Sequence, residues 1–150
     1  MAAELLFSGY YRGPATFLDT FTFLKLYPDG RWVFAESLNS AYDFPARVKA
    51  LGLETVSREH PSGWIEDGNT KLSWGRYRRG MDVPALNWSG QVVGRMADAL
   101  EETDPSGEGS GVPFQVEVVG PGQLCPTTHE VILTFVADEP AEHVSWPPCQ

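Results

Sequence analysis

The feature that most constrains this chain is alternation with a period of two. Aromatic, aliphatic and β-branched residues recur at every second position in short runs, and the runs end at Gly, Pro, Asp or Asn. Alternation of this kind sends neighbouring side chains to opposite faces of an extended segment, so it specifies half-buried antiparallel strands. Helical period is nearly absent. The first strand is expected from about Leu5 to Gly13, with Phe7, Gly9 and Tyr11 on one face. A second from Thr20 to Tyr27 and a third from Arg31 to Leu38 are joined by Pro28-Asp29-Gly30, a short Gly-containing loop that closes a hairpin. In that hairpin Thr22, Leu24 and Leu26 face one way, matched by Trp32, Phe34, Glu36 and Leu38.

Between Asp43 and Leu53 the period changes, with Phe44, Val48 and Leu51 spaced by four and three, Asp43 as a cap, Pro45 in the first turn and Gly52 at the end. One short helix is expected there. Residues 54 to 64 carry a weak extended signal at Glu54-Thr55-Val56. After Asp67-Gly68-Asn69, Lys71 to Arg78 alternates Leu72, Trp74, Arg76 and Arg78 against Ser73, Gly75 and Tyr77, and Ala85 to Met96 alternates Leu86, Trp88 and Val92 against Asn87, Ser89 and Val93. Residues 98 to 111 contain five acids and no base among Gly, Ser and Pro, the composition of a mobile loop. Two further strands, Pro113 to Val119 and Glu130 to Ala137, flank a loop through Cys125-Pro126, and an acidic Pro-rich tail runs from Asp138 to Gln150.

Seven or eight short strands with hairpin-length connections have two main solutions, an up-and-down barrel of about eight strands or a two-sheet β-sandwich. The sequential hairpins, the strand lengths and the glycines at 75, 90 and 94 favour the barrel. A single domain over residues 1 to 137, followed by the tail, is the expected organisation.

Three stretches carry a resemblance. Ser8-Gly9-Tyr10-Tyr11-Arg12, the hairpin Phe23-Leu24-Lys25-Leu26-Tyr27-Pro28-Asp29-Gly30-Arg31-Trp32-Val33, and Gly75-Arg76-Tyr77-Arg78 resemble small lipocalin-like (calycin) barrels, including the barrel domain attached to some F-box proteins. The resemblance spans roughly residues 7 to 136 on short motifs and implies a barrel whose interior holds a small ligand.

The charge pattern narrows the partners. All eleven Lys and Arg residues lie at or before Arg95, while the twenty acids divide equally about it, so residues 1 to 95 carry +1 and residues 96 to 150 carry −10. A surface built to neutralise nucleic-acid phosphates or an anionic membrane is not expected from this balance. The N-terminus lacks a signal-peptide pattern and no apolar run reaches the roughly 18 residues that span a bilayer, so a cytoplasmic protein without membrane insertion is expected. Of Cys125 and Cys149, two free thiols is the favoured reading, with a disulfide clip as its rival.

The chemistry expected follows from the barrel. Trp32, Phe34, Trp74, Trp88, Phe114, Val116, Leu133 and Phe135 are candidates for the inner wall, and aromatic lining with a few polar groups is the usual character of a ligand pocket. Arg76 offers a two-pronged donor for a carboxylate, and Tyr10, Tyr11 and Tyr77 offer hydroxyls. The leading expectation is a barrel binding a small, largely apolar molecule. The first alternative is a cyclase or isomerase in the same cavity, with Glu36, Tyr77 and Arg76 as its acid–base and electrostatic groups. The second is a protein-interaction module using the acidic loop and tail. His60, His129 and His143 lie far apart without metal-ligand spacing, and no phosphate loop or dinucleotide fingerprint occurs, so neither metal nor cofactor is expected.

Overall fold

A computed structural model describes residues 5–13, 20–86, 91–103, 114–126 and 132–137. In chain order it contains β1 (Gly9–Arg12), β2 (Phe21–Leu26), β3 (Arg31–Ser37), α1 (Phe44–Ala50), α2 (Leu53–Glu59), β4 (Gly63–Asp67), β5 (Thr70–Leu86), β6 (Val92–Glu102), β7 (Gln115–Gly120), β8 (Gln123–Pro126) and β9 (Leu133–Ala137). Neighbouring strands pair antiparallel, and two further pairings, β1 with β9 and β3 with β5, close eight of them into a barrel. The sandwich alternative is thereby excluded. β4 is a ninth strand that pairs only with the first part of β5, outside the closed circuit.

The first hairpin forms as its sequence dictates. Gly30 takes φ +90°, which a residue with a Cβ rarely adopts, and the Gly30 and Tyr27 amides donate to Tyr27 O and Arg31 O at 3.1 and 2.9 Å. The β2–β3 register sets Leu24 opposite Phe34 and Leu26 opposite Trp32.

Two short helices follow β3 where one was expected. Asp43 caps α1 by accepting from the Ala46 amide at 3.3 Å, with a proline in the first turn. Gly52, at φ +65°, joins it directly to α2, so Glu54-Thr55-Val56 is helical rather than extended. Tertiary contacts hold α2: the buried Arg31 guanidinium donates to Glu54 O at 2.7 Å and Ser57 Oγ at 2.9 Å, lies 4.1 Å over the Tyr27 ring, and bonds Asp29 through Nε. At the other helix, the Asp67 carboxylate in the β4–β5 turn accepts from Arg47 Nε at 2.8 Å and from Tyr42 Oη at 2.9 Å.

Three strand boundaries also depart from expectation. β5 runs unbroken from Thr70 through Pro84 to Leu86, so Ala85 to Met96 is not one strand: Leu86 and Val92 face each other across a hairpin. β6 continues to Glu102, so residues 98 to 102 belong to the barrel wall and not to a loop. There Asp98 pairs with Arg79 at 2.6 Å and Glu101 with Arg78 at 3.7 Å. Cys125 lies in strand β8, and it is disulfide-bonded rather than a free thiol. Cys149, the chain's one other cysteine, lies outside the described residues.

Three apolar clusters result among the described residues, the smallest being Val83, Ala85, Met96 and Ala99 on the β5–β6 ribbon. The inner one joins Tyr11, Leu24, Leu26, Trp32, Leu100, Val116, Val118, Leu124 and Leu133, with Tyr77 packed against it, and so draws on all eight barrel strands. The outer one lies on the far face of β2, β3 and β5, where Phe23, Val33, Leu72 and Trp74 are covered by Phe44, Val48 and Leu53 of the helices. No helix among the described residues is long and apolar enough to cross a membrane.

Candidate ligand-binding site

The inner wall is built by the alternation of each strand. Trp32 and Phe34 enter from β3, Tyr77 from β5, Phe114 from just before β7, Val116 from β7, and Leu133 and Phe135 from β9. Trp32 stacks on Phe114 with ring centroids 4.5 Å apart and planes 10° from parallel, and its indole N–H donates to Arg76 O at 3.3 Å. Phe135 meets Tyr11 edge-on at 5.3 Å. Trp32, Val116 and Leu133 are sealed, but Phe34, Tyr77, Phe114 and Phe135 remain only partly buried.

The polar groups of the inner face are few. Tyr77 Oη donates to Tyr27 O at 2.9 Å, and burial pushes its phenol up to about 12. Tyr11 Oη accepts from the Leu6 amide at 3.1 Å and is also raised, chiefly by burial. Glu36 is half-buried, in register with Thr22 and Lys71. The Thr22 hydroxyl is fully buried and has no hydrogen-bond partner among the described residues. Buried hydroxyls are rarely left unsatisfied, so this one is an energetic cost of the wall rather than a free attachment point, since the fold seals it from water.

Two expected wall residues face the other way. Trp74 points outward into the core beneath the helices. Arg76, two residues on, shares that outward face and donates to Arg58 O of α2 at 3.4 Å, its pKa lowered by burial and then by Arg31. Both faces of β5 are apolar here because helices cover the outer one, so period two shows which residues share a face without showing which face is inside. Trp88 lies outside the described residues.

The trio Glu36, Tyr77 and Arg76 is therefore not assembled. Arg76 lies on the opposite face from Tyr77, its neighbour in the strand. Glu36 pairs with Lys71, six positions from Tyr77, which is about 20 Å along a strand. Among the described residues no three His, Cys, Asp or Glu side chains converge on a common point.

One concavity among the described residues was not foreseen from the sequence. It is a groove of about 580 Å³ outside the barrel, between β1 and β2 on one side and α1 and α2 on the other. Comparison of the chain with protein-family models, with curated proteins and with solved structures returns no match.

Proposed function

We propose that this barrel binds a small, largely apolar molecule against its inner wall, in the manner of the lipocalin-like barrels its strand motifs resemble. One observation carries the reading: Phe34, Tyr77, Phe114 and Phe135 face inward yet stay partly accessible, whereas Tyr11, Leu24, Leu100 and Leu133 beside them are sealed. A core packed only for stability buries its rings fully, and partly open aromatic surface on an inner wall is what an apolar ligand covers. No observation favours the cyclase or isomerase reading, since its acid and its cation are on different faces. The disulfide at Cys125 suits an oxidising compartment and weighs against a cytoplasmic site of action.

Titration with an uncharged solvatochromic dye tests the reading. One equivalent is expected to bind with a change in tryptophan emission, and Phe34→Trp, which adds bulk at the wall, is expected to weaken it about tenfold with the circular dichroism spectrum unchanged. No saturable binding, or binding indifferent to Phe34→Trp, overturns it.

A further inference from the structure

Arg76, which the barrel leaves on its outer face, has a chemistry that ligand binding at the inner wall does not use. Three further arginines surround it: Arg31 stands opposite in register, Arg58 supplies the carbonyl that accepts from Arg76 Nη2, and Arg78 follows two residues on along the same face of β5. Each of these three has a carboxylate, Asp29 at 2.7 Å from Arg31, Glu54 at 3.3 Å from Arg58 and Glu101 at 3.7 Å from Arg78. Arg76 has none among the described residues. Its guanidinium makes only long hydrogen bonds to carbonyls, from Nη1 to Gly75 O and from Nη2 to Arg58 O, each at 3.4 Å. Its remaining N–H donors have no partner among the described residues. Carbonyls orient a guanidinium without cancelling its charge. Across the sheet its other neighbour is Thr103, whose amide donates to Arg76 O at 3.1 Å, so neither lateral neighbour is an acid.

We infer that Arg76 anchors a second binding site, on the outer face of the barrel, for a small organic carboxylate that the two-pronged donor of its guanidinium holds. Burial and the like charge of Arg31 lower the Arg76 pKa, with Asp29 opposing, whereas Arg47 and Arg79, each facing an aspartate, are raised. A guanidinium taken partly out of water without a counterion is costly, and it does not escape by losing its proton. The three neighbouring ion pairs cancel, so the excess charge of the cluster is that of Arg76 alone, which one carboxylate balances and a phosphate dianion would exceed. The site is open to solutes: Arg76 is partly exposed, and the flanking Arg58 and Arg78 side chains are 58% and 66% exposed. The chain's net charge of −9 does not prevent this, because salt screens charges beyond roughly 8 Å at physiological ionic strength and the near neighbours decide.

The experiment is titration of the isotope-labelled full chain with acetate at constant ionic strength, followed by nuclear magnetic resonance at the arginine Nε–H signals and at the backbone amide of Thr103. The Arg76 and Thr103 signals are expected to shift saturably, in the millimolar range, while methyl acetate and ethylammonium leave them in place. Arg76→Lys keeps the charge and loses the fork, and is expected to weaken acetate about tenfold when read at the Thr103 amide. Thr103→Glu sets a carboxylate opposite Arg76 from within the chain, and is expected to abolish acetate binding and raise Tm. Thr103 is exposed, so this variant decides the matter should Arg76→Lys fail to fold. The uncharged dye at the inner wall is expected to bind Thr103→Glu as it binds the unmodified protein. No saturable shift at Arg76, equal shifts at Arg58, Arg76 and Arg78 as plain charge screening would give, phosphate bound more tightly than acetate, or acetate binding that survives Thr103→Glu overturns the inference. Loss of dye binding to the unmodified protein overturns only the inner-wall reading.

Discussion

Gly75 and Trp74 are neighbours in β5, and neither plays the part its sequence position suggested. Gly75 reads as a relief of strand curvature, but its role in the structure is steric. A Cβ there would lie 2.7 Å from Trp32 Cζ2, so the missing side chain is the space the indole occupies. Gly75→Ala forces the Trp32 ring off Phe114, and overpacking of this kind is expected to cost about 1–3 kcal/mol. Urea denaturation measures it, and an unchanged midpoint would show that the ring shifts freely. Trp74 is the reverse case. Its indole N–H is buried without a partner among the described residues, so Trp74→Phe removes an unsatisfied donor along with some volume. The net change is expected to stay within about 1 kcal/mol, against about 3–5 kcal/mol for Trp74→Ala, and the same denaturation series separates the two.

At the level of elements, the helix pair is a clamp held at both ends, and its acid sensitivity follows from one carboxylate. Hydrogen bonds from Arg47 hold the Asp67 carboxyl below its ordinary value of 3.8, and Tyr42 adds another. A carboxyl depressed in the folded state stabilises it at all pH values above 3.8, and that contribution disappears as the pH falls through the lower folded value. Asp67→Asn should therefore lower Tm at neutral pH, and the gap from the unmodified protein should close below pH 3.8; a gap that persists in strong acid would mean the ion pair is not its source. This clamp explains what the sequence could and could not disclose. The first hairpin was legible because Pro28-Asp29-Gly30 and the flanking alternation agree, and α1 because Asp43, Pro45 and the Phe44–Val48 spacing agree. α2 was not, since Glu54-Thr55-Val56 has weak helical pattern and its stability comes from Arg31, distant in sequence. The outer groove was invisible for the same reason: it exists only once the two helices fold over the sheet, α2 against β3. Trp32, Phe34 and Phe114 were legible as wall residues, but Trp74 and Arg76 were not, because helices bury the outer face as thoroughly as the barrel buries the inner.

Across the whole molecule the lopsided charge of the sequence is partly stitched together. Asp98 and Glu101 come from the acidic final third, yet they pair with Arg79 and Arg78 across the β5–β6 ribbon. The alkaline limit of the fold is expected to be set instead by phenols that burial raises, Tyr27 and Tyr77 along with Tyr11 and Tyr42. Tyr27 and Tyr77 are linked by the hydrogen bond from Tyr77 Oη to Tyr27 O, and burial is the largest cause pushing each up to about 12. A group raised in the folded state gives stability that is complete below its unfolded value of 10.0 and is lost as the pH climbs through the folded value. Between pH 10 and 12 each phenol then withdraws about 2–3 kcal/mol, while self-repulsion of a chain already at −9 grows. Phenolate absorbance and far-ultraviolet circular dichroism, recorded together against pH, should show these two tyrosines ionising only as the barrel opens. Tyr27→Phe removes one of these groups and should move the alkaline midpoint upward. Full ionisation of every tyrosine with the strand signal intact would show that the phenols are reached by solvent in the folded state, and the barrel's alkaline limit would then need another cause.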